Sequence, residues 1–171
     1  TRLGHGGLKL ERDWVEISDI LVSARARLKR LFPAQALLLQ IDGTVPPLYV
    51  HAALLEQAIF NILENAARFS PAGVPITILV RVAPSAGSGP GYCQLEIEDK
   101  GPGIAADLRE KVFDMFYVVA DGDSKKHNTG MGLAICRGMI GAHGGTVRAE
   151  AARCGQGSCF IIDLPLSQKE M

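Results

Sequence analysis

Leu54-Leu-Glu-Gln-Ala-Ile-Phe-Asn-Ile-Leu-Glu-Asn-Ala-Ala-Arg-Phe69 carries apolar residues at Leu54, Leu55, Ala58, Ile59, Ile62, Leu63 and Ala66, at steps of three and four. That period predicts a long amphipathic helix ending near Phe69-Ser70-Pro71. Asn61, Asn65 and Arg68 ride it at steps of four and three, so their side chains share one edge. A single helical asparagine is more often just a solvent-facing residue. Two in register ahead of an arginine argue for a site, because amide oxygens suit a hard Mg²⁺ that also takes phosphate oxygens, and a guanidinium clamps phosphate.

Three further motifs follow in the chain. Asp99-Lys-Gly101-Pro-Gly103 places a carboxylate beside a glycine turn, either as a simple turn cap or as an acceptor for an exocyclic amine in a pocket. Thr129-Gly130-Met131-Gly132-Leu133 opens a helix with glycines, leaving backbone N–H groups for an anion. Lys125 and Lys126 abut that turn, where they could fold over phosphates. Gly155-Gln-Gly157-Ser158-Cys-Phe160 is a turn between two strands. Gly101-Pro-Gly103-Ile-Ala-Ala106 also fits the dinucleotide pattern G-x-G-x-x-A. Against it, Gln94, Glu96 and Glu98 alternate with apolar residues, whereas a first Rossmann strand is almost continuously apolar. There is no G-x-x-x-x-G-K-[ST] string, which removes the P-loop.

Around these motifs, strands are expected at Trp14–Ile17, Ala36–Ile41, Leu48–Val50, Pro75–Ala83, Tyr92–Asp99, Thr146–Ala151 and Ser158–Leu164. Ser18-Asp19 reads as the cap of a helix running to Pro33. Asp107–Phe116 reads as a short helix with Phe113 and Phe116 in the core, and Gly132–His143 as a helix stopped by Gly144-Gly145. Tyr117–Asn128 is aperiodic and polar, which suits a mobile loop.

The 171 residues suffice for one domain with a real core, and 47% hydrophobic with 21% charged residues is an ordinary globular composition. Eighteen basic and eighteen acidic residues cancel, so no global field favours nucleic acid or an anionic membrane, and an anionic ligand must be held locally. Cys93, Cys136, Cys154 and Cys159 form no C-x-x-C pair and no zinc spacing with the histidines, which points to reduced thiols in the cytosol. No apolar run approaches ~20 residues.

Taken together, Asn61 to Ser70, Asp99 to Gly103, Phe113 to Phe116, Thr129 to Leu133 and Gly155 to Phe160 resemble the N, G1, F, G2 and G3 boxes of sensor histidine kinases, members of the Bergerat ATPase group. The wording Leu63-Glu-Asn-Ala-Ala-Arg-Phe69 and Gly132-Leu-Ala-Ile-Cys-Arg137 is nearest to KdpD-type sensors of potassium limitation. The resemblance implies an α+β two-layer sandwich, with a mixed, mostly antiparallel sheet covered on one face by three helices. It implies residues 1–13 as a linker, 14–166 as the catalytic ATP-binding domain and 167–171 as a tail. Carried over by position, Asn65 coordinates Mg²⁺, Asn61 supports metal and phosphates, Arg68 meets phosphate and Phe69 packs on adenine. Asp99 takes the adenine amino group, Gly101 and Gly103 hinge the lid, and Gly130 and Gly132 receive phosphates, with Ile104, Lys125, Lys126, Thr129, Met131 and Leu133 as further nucleotide-binding residues. ATP and Mg²⁺ are the implied cofactors. A dimerisation and histidine-bearing domain of the same parent and a response regulator are the implied partners, and the setting is a cytoplasmic domain of an inner-membrane kinase.

Two departures from the pattern stand out. Asn128 occupies a position usually held by glycine in the G2 box. No histidine among His5, His51, His127 and His143 sits in a phosphoacceptor box, so the acceptor is expected on another domain. Hydrolytic Bergerat enzymes place a glutamate base one turn before the metal asparagine, where this chain has Asn61. The same motifs also suit an anti-sigma-factor serine kinase, or a regulatory nucleotide-binding module without transfer activity.

Overall fold

The computed structural model describes residues 10–115 and 131–167. The sheet is built on strands whose alternation puts one face into the core. Along β5 (Tyr92–Glu98), Cys93, Leu95 and Ile97 are buried, while Gln94 and Glu98 stay half-exposed. β4 (Ile76–Ala83) repeats the pattern with Ile76, Ile78 and Val80 inward, and β7 (Ser158–Pro165) adds Phe160, Ile162 and Leu164. With β2 (Leu37–Ile41) and β6 (Thr146–Ala151) these form a five-stranded sheet in the order β2-β4-β5-β7-β6. Only β2 and β4 pair in parallel, so the sheet is mixed and mostly antiparallel, as expected. A separate antiparallel pair joins β1 (Asp13–Val15) to β3 (Leu48–Val50).

Three α-helices are present among the described residues: α1 (Ile17–Leu31), α2 (Ala52–Phe69) and α3 (Gly132–Ala142). α2 lies between the other two and packs on both. It buries Leu55, Ala58, Ile59, Phe60, Ile62, Leu63 and Ala66, and one continuous hydrophobic core joins these residues to the inner face of the sheet. Burying each such Leu or Ile contributes about 1.5–3 kcal/mol relative to exposure.

The opposite face of the sheet carries a self-paired polar lattice alongside Leu38, Leu79 and Ile161. Arg81 bridges Gln94 and Glu96, Arg153 pairs with Glu96, and Gln94 and Arg148 both meet Asp163. Burial on one side and a charged lattice on the other fix the strand register, because a one-residue slip would reverse both.

Two expectations change. α1 starts at Ile17, capped by Glu16 in extended conformation without a side-chain bond, so Ser18 and Asp19 lie inside its first turn. The buried Ile17 and Ile20 draw that turn into the core, overriding capping preference. The expected helix over 107–116 is instead two short 3-10 turns, Ala106–Leu108 and Lys111–Phe113. Among the described residues of this stretch only the adjacent Val112 and Phe113 are buried, which gives no helical stripe to support a longer element. Phe113 does reach the core, edge-on to Phe160 with ring centroids 6.0 Å apart. Phe116, the loop Tyr117–Asn128 and residues 168–171 lie outside the described residues, as does most of the expected linker.

Candidate functional site

The edge of α2 predicted to be polar faces the start of α3. Asn61 is buried and its Nδ2 donates to the Gly132 carbonyl at 3.0 Å, while Gln57 Nε2 donates to Asn61 Oδ1 at 2.6 Å. Asn65 and Arg68 follow on the same edge, half-buried, and Arg68 pairs with Glu64 one turn back at 3.4 Å. Amide and guanidinium groups thus run from the α3 start to the C-terminal end of α2.

At that end Phe69 meets the glycine turn after β5. A Cβ placed on Gly101 would lie 2.8 Å from the Phe69 carbonyl and 3.1 Å from Asp99 Oδ1, so only glycine lets the two segments approach. Close approach, rather than positive φ, is therefore what requires Gly101; positive φ is found at Gly103, at 82°. Asp99 itself is buried, and its Oδ1 accepts from the N–H groups of Gly101 at 2.8 Å and Ser158 at 3.4 Å. Both bonds use the same carboxylate oxygen, which orients the side chain. Burial is the main influence holding this carboxyl above its usual range; the two backbone donors offset it in part and nearby Glu98 adds to it.

The turn between β6 and β7 closes on the same carboxylate. Asp99 N–H donates to the Ser158 carbonyl at 2.9 Å, and Gln156 Nε2 donates to the Gly101 carbonyl at 2.8 Å. Gly157 adopts φ 104°, and a Cβ there would fall 1.9 Å from the Asp99 carbonyl oxygen. No other residue fits. Beside it the Lys100 ammonium, 2.9 Å from the exposed Cys154 thiol, holds that thiol below its ordinary range. The other three cysteines are buried and pushed up to about 12, chiefly by desolvation, and all four are free thiols.

α3 begins at Gly132 after Met131, which takes a helical φ and ψ. A Cβ on Gly132 would meet nothing within 4 Å among the described residues, so packing there does not demand glycine. Leu133 and Ile104 are half-buried and pack against the core. Lys125, Lys126, Thr129 and Gly130, with Asn128, lie outside the described residues. Among the described residues no three or more His, Cys, Asp or Glu side chains gather as a metal site.

The N-box edge, the Asp99 turn, the Gly157 turn and the α3 start are therefore brought together along one end of the helical layer. Four neighbours had no role assigned from sequence: Gln57, Gln156 and Ser158, the last two inside the quoted Gly155 to Phe160 motif, and the buried hydroxyl of Ser70 at the end of the Asn61 to Ser70 box, which makes no hydrogen bond among the described residues. Gln57 lies before that box, and its signal was that it precedes Asn61 by four residues on the same edge. His51 and His143 have structural roles as caps: His51 Nδ1 accepts from Leu54 N–H, and His143 Nε2 accepts from the His51 N–H at 3.1 Å.

A half-covered sheet with such motifs along one end of its helices is the architecture of a nucleotide-binding ATPase domain. Residues 51–168 match the model of the histidine kinase-, DNA gyrase B- and HSP90-like ATPases, and the chain belongs to that family, whose ligand is ATP. Sensor protein KdpD of Clostridium acetobutylicum is 30% identical over 167 residues, which are 96% of this chain and 18% of that protein. KdpD of Escherichia coli K12 is 31% identical over 167 residues, 96% of this chain and 17% of the relative. The solved structure of a mycobacterial sensor histidine kinase, MprB, superposes with a TM-score of 0.78 at 27% identity, covering 92% of this chain and 100% of that one. The chain spans under a fifth of the length of the two KdpD relatives. The expected resemblance to sensor histidine kinases, and to KdpD among them, is thereby borne out.

Proposed function

We propose that this chain is the catalytic ATP-binding unit of a two-component sensor kinase, passing the γ-phosphoryl group of Mg·ATP to a histidine on a separate helical domain and thence to a response-regulator aspartate. The observation that carries this reading is the Asn61 to Gly132 hydrogen bond, which joins the amide edge of α2 to a glycine-opened helix start. One ligand with a metal-bound polyphosphate suits both. Among the described residues nothing lies within 4 Å of a Cβ placed on Gly132, which supports a helix start that takes phosphate oxygens. At the other end, the buried Asp99 carboxylate and the Ser70 hydroxyl beside Phe69, unpartnered among the described residues, supply polar groups for an adenine edge.

The donor set also fits Mg²⁺, which keeps most of its waters and is commonly held by few protein ligands plus phosphates. Asn65 would hold it, with Asn61 supporting, and the ion would neutralise charge on the phosphates. Arg68, released from Glu64, would meet a phosphate oxygen. In the transfer the bond from γ-phosphorus to the ADP oxygen breaks and a bond to an imidazole nitrogen of the acceptor forms. This chain's part is to position and to neutralise, which is most of what phosphoryl transfer requires. Asn61 cannot act as a general base for water, so transfer is favoured over hydrolysis.

The acceptor and dimerisation domain and the response regulator are the proposed partners, and the parent is proposed to be an inner-membrane kinase. Among the described residues no helix is long and apolar enough to cross a membrane. Mixing this chain with a histidine-bearing helical domain of a KdpD-type kinase and γ-labelled ATP tests the proposal. Acid-labile, base-stable label on the helical domain is expected. Release of inorganic phosphate with no labelled acceptor would contradict it.

A further inference from the structure

The Gln57–Asn61–Gly132 chain has a direction that its chemistry imposes. A carbonyl oxygen only accepts, so at Gly132 the Asn61 amide must present its NH₂ group. Its Oδ1 then faces back along α2, where Gln57 must offer a donor, and Gln57 Nε2 does so at 2.6 Å. Asn61 is 9% exposed, so its amide has little water to replace a lost partner. Gly132 is the first residue of α3, and the two helices pack along this seam.

We propose that Gln57 is a positioning residue for the phosphate end of the nucleotide site: it sets the polarity of the Asn61 amide and through it pins the start of α3 against α2. The inference rests on the reading that Asn61 and Gly132 face the phosphates. With the pin in place, the helix start is held where an anion meets it before any ligand arrives, and the ligand spends less binding energy on ordering it. Gln57 itself need not touch the nucleotide. Glutamate at this position would keep the shape but, when ionised, would set an acceptor against Asn61 Oδ1. The amide would then have to turn and face the Gly132 carbonyl with its oxygen.

The experiment is calorimetric titration of Mg·ATP, and separately of adenosine, into the 171-residue chain and its Gln57→Glu, Gln57→Ala, Asn61→Ala and double Gln57→Ala/Asn61→Ala variants. Gln57→Glu should weaken Mg·ATP about tenfold at neutral pH, the size of one well-placed hydrogen bond, and leave adenosine unchanged. Its deficit relative to the parent at the same pH should shrink on acidification, because a protonated carboxyl can donate again. Gln57→Ala should add nothing to Asn61→Ala. Parent-like Mg·ATP affinity in Gln57→Glu, equal losses for adenosine, or additive losses in the double variant would each overturn the positioning role. A parent chain that binds no Mg·ATP would instead remove the nucleotide reading and the inference with it.

Discussion

In the proposed site, recognition of the base falls to a single carboxylate, that of Asp99. Two backbone donors on Oδ1 fix its orientation, and burial raises its proton affinity. An ionised carboxylate is the stronger acceptor for an amino group, so with adenine at Asp99 ATP affinity should fall as the pH drops into the range where this raised carboxyl takes up a proton. Asp99→Asn places an amide opposite that amino group and should cost ATP about ten- to a hundredfold while costing GTP less. It should also flatten the acid limb of ATP affinity. Competition titrations with both nucleotides across pH read this directly, and equal losses for ATP and GTP would show that Asp99 does not meet the base. The three buried cysteines, with thiol pKa pushed up to about 12, are packing residues.

At the scale of elements, α2 and α3 are held at both ends of their seam, by Asn61 on Gly132 and by His143 on the backbone of His51. His143 Nδ1 lies 2.7 Å from the Met139 carbonyl, so the neutral ring donates there and accepts at Nε2. Burial, aided by nearby Arg12 and His51, holds its pKa below the ordinary 6.5 against the opposing effect of Met139. The unfolded chain therefore binds more protons than the native state below that value, and stability falls as the pH drops from there toward the depressed value. His143→Gln keeps an acceptor without the titration. Urea midpoints at about pH 7.5 and about pH 5.5 should differ less in this variant than in the parent. An unaltered difference would mean that His143 is not the titrating latch. The elements were legible where period and burial agreed, as along α2 and β5. They were not where tertiary packing overrode local preference: Ile17 entering the core moved the start of α1, and Val112-Phe113 supported only 3-10 turns. Gln57 had no assigned role, because its significance depends on Gly132, 71 residues beyond Asn61 in the chain.

Across the whole molecule, a core formed by α1, α2, α3 and the inner sheet face supports a line of groups drawn from four separate motifs. The motif order was legible without coordinates, since helix period and glycine turns are local signals. The junctions were not, because Gly101 against Phe69 and Gly157 against Asp99 are close approaches between distant segments. The central claim is that this line is a Mg·ATP site with Asn65 on the metal. Isothermal titration of ATP, with and without Mg²⁺, into the parent and Asn65→Ala chains tests it most directly. The account predicts Mg²⁺-dependent binding in the micromolar-to-millimolar range, weakened at least about tenfold by Asn65→Ala with unfolding unchanged. Equal Mg·ATP affinity in the two chains would contradict it.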